Sequence, residues 1–162
     1  TRWNYDIGTD WGNAQQEYDT RRPENVSMDG AGNLAIVARK ETFQGSAYTS
    51  ARITTRGKVE RTYGKFEARI RMPWGQGIWP AFWMLGTTID SVGWPQCGAI
   101  DIMEFRGQQP STIYASLHGP TYSGVNNIGG RLSTSKYRIS EISWLSRNSP
   151  ATISHRYTKL TW

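Results

Sequence analysis

Short runs of alternating apolar and polar residues, separated by clusters of Gly, Pro, Asn and Asp, dominate the chain. The clearest is Lys65 to Met72, where Phe66, Ala68, Ile70 and Met72 fall on one side before Pro73-Trp74-Gly75 ends the run. A period of two residues is that of a strand with one buried face. Leu34 to Ala38 follows the turn signals Asp29-Gly30 and Gly32-Asn33 and reads as another strand. Further strands are predicted over 49–55, 78–85, 100–105 and 112–118. No helical period lasts two turns, and there are no internal repeats. Many short strands with regular turn signals predict an all-β sandwich. Past about Gly130 the aliphatic residues thin out, and only the weak alternation from Tyr137 to Trp144 suggests an edge strand.

Length and composition narrow the classes. The 162 residues suffice for one domain with a core. The net charge is +6, which favours anionic partners. The basic residues are scattered, however, with no run longer than Arg21-Arg22 and no nucleic-acid motif, so nucleic acid is not an expected partner. No apolar run approaches the roughly 18 residues that span a membrane as a helix, so no membrane partner is expected either. Cys97 is the only cysteine and reads as a small buried residue. Eight Trp and eight Tyr are many for this length, and such rings serve equally as core and as platforms for sugars.

The segment Ala99-Ile100-Asp101-Ile102-Met103-Glu104 carries the chemistry. It reads as a buried strand holding two acids, and burying a carboxylate costs several kcal/mol unless it is paired or hydrogen-bonded. Two neighbouring carboxylates raise one pKa and leave the other ionised, as acid–base catalysis needs. On a regular strand, residues 99, 101 and 103 share a face and Glu104 points away. One extra residue, a β-bulge near Met103, would return Glu104 to the face of Asp101.

Read with Gly98, this segment resembles the active-site strand of glycoside hydrolase family sixteen, in particular its laminarinase-like endo-β-1,3-glucanases. Other segments resemble the family in order: Trp11-Gly12-Asn13, Arg22-Pro23-Glu24-Asn25, Tyr48 to Ile53, Tyr63 to Arg69, Gly77 to Leu85, Gly93-Trp94-Pro95 and His118-Gly119-Pro120. The resemblance spans about residues 3 to 130. It implies a β-jelly roll of two curved antiparallel sheets with a substrate cleft on the concave face. Residues 1–130 are expected to form its core, and 131–162 an unmatched tail, truncated, frame-shifted or divergent, with strands missing at both ends of the domain.

The same resemblance implies roles. Glu104 matches the general acid/base and Asp101 the acid between the catalytic pair. Ala99 stands where the family carries its nucleophilic Glu, so hydrolysis should be abolished or severely impaired. Asn25, Arg52 and His118 look like sugar-binding polar residues, with turn cap, surface cation and loop histidine as their plain alternatives. Trp79 and Trp83 line the cleft if their face is concave and belong to the core if it is not. Trp94, in a Gly-Trp-Pro loop, suits an exposed sugar platform. The expected partner is β-1,3-glucan or mixed β-1,3-1,4-glucan, either cleaved with retention by an active relative or bound without cutting. A monomeric, secreted protein is expected, with any signal peptide outside this sequence. No cofactor is required; the resemblance leaves a structural calcium on the convex side open, but no Asp/Asn/Gly loop here resembles an EF-hand.

Overall fold

A computed structural model describes residues 2–73, 75–133, 140–146 and 153–160. In chain order the strands are β1 (Asn4–Asp6), β2 (Glu17–Asp19), β3 (Val26–Met28), β4 (Leu34–Ile36), β5 (Arg39–Phe43), β6 (Ser46–Thr54), β7 (Gly64–Ile70) and β8 (Ala81–Gly86). After one short helix, α1 (Ile89–Val92), come β9 (Ala99–Phe105), β10 (Thr112–His118), β11 (Ile128–Ser133), β12 (Ser140–Ser146) and β13 (Ile153–Leu160). The large sheet runs β1-β6-β13-β8-β9-β10-β11, with β2 and β5 on the other half of β6. Pairs β12-β7 and β3-β4 form two smaller sheets. All pairings are antiparallel except β2 with β6. The architecture is the jelly roll that the strand pattern and the family resemblance implied.

The expected division at residue 130 is not a boundary in the sheets. β12 pairs along the whole of β7, and β13 lies between β6 and β8 inside the large sheet. A central strand from the expected tail escapes local reading because its partners lie about a hundred positions earlier. Of the edge strand suggested over 137–144, the described part is β12; residues 137–139 lie outside the described residues.

The interior follows from alternation. Phe66, Ile70 and Met72 from β7 and its exit, as predicted, turn inward. They meet Met84, Ile100 and Ile102 in one cluster and Met103, Phe105 and Ile113 in the next, with Phe82 touching both. A separate cluster of Val26, Ile36, Ala51 and Ile53, with Trp3 against it, holds β3 and β4 to β6.

β9 breaks the period of two where the sequence predicts it. Against β8, Phe82 pairs with Met103 but Trp83 pairs with Asp101. Against β10, Tyr114 pairs with Glu104 but Ser116 pairs with Asp101. On both sides β9 carries one extra residue, a bulge at Ile102-Met103. Both bulge side chains are buried, Ile102 at 4% and Met103 at 0% exposure. Burying each contributes about 2 kcal/mol, which offsets the backbone hydrogen bond a bulge forfeits.

Asn25 ties the β3–β4 end together. Its Oδ1 accepts from Thr20 Oγ1 at 2.6 Å and Arg22 Nη2 at 3.0 Å, and its Nδ2 donates to Val37 O at 3.0 Å and Thr49 Oγ1 at 2.9 Å. The side chain is fully buried. Asn25→Ala leaves these partners unsatisfied in the interior and is expected to cost about 3 kcal/mol in denaturant unfolding. A loss below about 1 kcal/mol would mean that water replaces the amide and that the tie is unimportant.

Candidate active site

The bulge decides what the concave face presents. Ile100, Ile102, Met103 and Phe105 point into the core, so Ala99, Asp101 and Glu104 point together to the other side. Directly paired residues share a face, which adds Trp83 from β8 and Tyr114, Ser116 and His118 from β10. Phe82 and Met84 face the core, so the alternation that set Trp83 apart from Phe82 is seen in the packing. Trp79 precedes β8 and reaches the same site from its loop.

Glu104 accepts a hydrogen bond from Trp79 Nε1 at 3.1 Å. Burial, and then the negative charge of Asp101, push its pKa up to about 7. The Trp79 hydrogen bond, Arg106 and His118 pull the other way without cancelling that rise. Asp101 Oδ2 lies 2.8 Å from His118 Nε2. That hydrogen bond, against the opposing effect of burial, raises the pKa of His118. The site therefore contains a carboxyl that holds its proton near neutrality beside an acid tied to a histidine. This is the division of labour that a proton donor to a leaving oxygen requires.

Ala99 is 4% exposed and packs with Leu85 and Cys97, with Trp83 and Ile89 against them. It pairs with His118 on one side and Leu85 on the other. No side-chain oxygen stands at this position.

The other candidates separate. Trp94 is 49% exposed and its ring lies 5.7 Å from that of His118, at the rim of the face. Arg52 is not the surface cation of the plain alternative, being 8% exposed. Its Nε meets Asp6 Oδ2 at 2.9 Å, and its guanidinium lies 4.6 Å from the Trp11 ring and 5.2 Å from the Trp83 ring. It thus packs against Trp83 and Trp11. Asn25 is a correction. With both amide atoms engaged inside the protein, it offers no polar atom to a sugar. Its motif signal arose from the loop geometry that the tie maintains.

Sequence reasoning missed Asp6, Ser116, Arg106 and Tyr114. Ser116 and Tyr114 were available from alternation backwards from His118; Asp6 depended on β1 pairing with β6, which no local pattern announces. Among the described residues, no group of three or more His, Cys, Asp or Glu is arranged to hold a metal ion.

Known proteins share this fold. The sequence pattern of Glycosyl hydrolases family 16 matches residues 10–158. The chain belongs to that family. The match runs through most of the segment expected to be unmatched, in keeping with the places of β12 and β13. A β-glucanase of Rhodothermus marinus is 48% identical over 126 residues, covering 75% of this chain and 44% of the relative. A glucan endo-1,3-β-glucosidase of Cryptopygus antarcticus is 42% identical over 124 residues, covering 72% of this chain and 45% of the relative. The laminarinase catalytic domain of Thermotoga maritima superposes with a TM-score of 0.83 at 42% identity, over 90% of this chain and 63% of that one. The chain thus spans less than half the length of these two curated relatives.

The electrostatics are testable without substrate. Asp101→Asn removes the like charge and should lower the pKa of Glu104 from about 7 toward its ordinary value, and lower that of His118 as well. Trp79→Phe removes a hydrogen bond to the ionised form and should raise Glu104 further. Carboxyl and imidazole titration by NMR reads all three; a Glu104 pKa unmoved by either change contradicts the coupling.

Proposed function

We propose that this chain binds β-1,3-glucan, or mixed β-1,3-1,4-glucan, across the concave face, and that it descends from retaining endo-glucanases but does not hydrolyse as written. Retention needs two carboxyls roughly 5–5.5 Å apart, one to protonate the glycosidic oxygen and one to attack the anomeric carbon. Glu104 supports the first role: it is positioned by the bulge and holds its proton near pH 7. Asp101, bound to His118, supplies the negative charge that raises it. Trp79, Trp83 and Trp94 supply ring surfaces along the face.

The observation that carries the reading is at position 99. Ala99 shares the face of Asp101 and Glu104, yet its methyl group cannot form a bond to carbon. Binding is retained in this account, the proton donor is retained, and the covalent step is lost. A polymeric glucan also fits a secreted monomer.

The test is laminarin reducing-sugar release by the chain and by Ala99→Glu, each first shown to be folded. The chain should release no more sugar than buffer, and the reversion should raise the rate by several orders of magnitude. Turnover by the unmodified chain contradicts the assignment of Ala99. If neither form cuts but both bind laminarin, the chain is a non-catalytic glucan-binding relative.

A further inference from the structure

The row of paired residues through Glu104 continues outward to Tyr114 on β10 and Arg131 on β11. Arg131 Cζ lies 5.4 Å from the Tyr114 ring centroid. Arg106, just past the end of β9, places its Cζ 5.1 Å from the same centroid and 5.5 Å from that of Trp79. The Tyr114 hydroxyl donates to Gln109 Oε1, which holds the ring in place. Both arginines are exposed, and neither makes an ion pair with a carboxylate among the described residues. Beside Arg106, an open groove of about 480 Å³ is lined by Gly75, Gln76, Gly107, Gln108 and Pro110. Its floor has no space for a side chain at position 107, where a Cβ would meet Gly75 O at 1.6 Å.

Two guanidiniums against one ring concentrate positive charge, and a bound anion offsets their mutual repulsion. A guanidinium stacked on an aromatic face keeps its N–H edge free, and that edge matches the two oxygens of a carboxylate or sulfate. Of the acids nearest in the sheet, Glu104 has its pKa raised to about 7 and accepts from Trp79, and Asp101 is paired with His118.

We propose that Arg106, Tyr114 and Arg131 form a subsite beside Glu104 for a glucan residue bearing an oxyanion substituent, a sulfate ester or a carboxylate. The cleft then prefers decorated β-1,3-glucan to the neutral polymer. This rests on the reading that glucan lies along the concave face, and the experiment separates the two.

Calorimetric titration of the 162-residue chain compares neutral laminarin, 6-carboxylated laminarin, sulfated laminarin and dextran sulfate at low salt. At least one decorated laminarin should bind about fivefold to tenfold tighter than neutral laminarin, the gain expected of two exposed charge pairs. Arg106→Gln/Arg131→Gln should bring that ratio to within about twofold of one, and added salt should shrink it. Arg21→Gln/Arg61→Gln removes the same charge elsewhere and should leave the ratio intact. Arg106→Lys/Arg131→Lys should lose most of it, because lysine lacks the planar fork. Preference for one decorated polymer identifies the substituent. Equal binding of neutral and decorated laminarin overturns the subsite and spares the glucan reading. Dextran sulfate binding as tightly as the decorated laminarins, or an equal loss in Arg21→Gln/Arg61→Gln, overturns it in favour of general charge attraction. No binding of any laminarin overturns both.

Discussion

One extra residue in β9 sets the chemistry of this protein. A regular strand would bury Glu104 or turn it from Asp101; the bulge at Ile102-Met103 places two consecutive side chains in the core and three polar-face positions, 99, 101 and 104, on the other side. The distortion is held by packing. Met103 is completely buried among Phe105, Ile113, Ile70, Met72 and Phe82, so straightening the strand would expose a large apolar side chain or force it into occupied space. Core packing and acid placement are thus one constraint viewed from two faces of the same strand.

The electrostatics follow. Once Glu104 shares that face with Asp101, burial and then the Asp101 charge push its pKa up to about 7. Trp79 and Arg106 limit the rise and hold it near neutrality. Around Ala99 the face gathers the bulge, Glu104, the rings of Trp79 and Trp83, and the Asp6–Arg52 pair against Trp83. At position 99 the face presents a methyl group, and on the proposed reading the cleft holds a glucan without breaking it.

Much of this was legible in the chain. β9 and β10 were placed within a residue of their observed limits, because their apolar positions alternate and turns bound them. The bulge was readable because the acid spacing conflicts with the strand period. Less legible was anything set by distant pairing. β13 enters the large sheet between β6 and β8, yet its sequence carries no sign of a central strand. Arg52 looked like a surface cation or a sugar ligand, and its burial between Trp11 and Trp83 depends on Asp6 arriving with β1. Asn25 misled because a motif position serving the loop's internal hydrogen bonds looks the same, in sequence, as one serving a ligand.

The most direct measurement of the central claim is a crystal structure of this chain with a laminarin oligosaccharide spanning the cleft. The account predicts a glycosidic oxygen within about 3 Å of Glu104, with the anomeric carbon facing the Ala99 methyl. An oligosaccharide seated on the opposite sheet, or one whose glycosidic oxygens all lie beyond hydrogen-bond reach of Glu104, would contradict it.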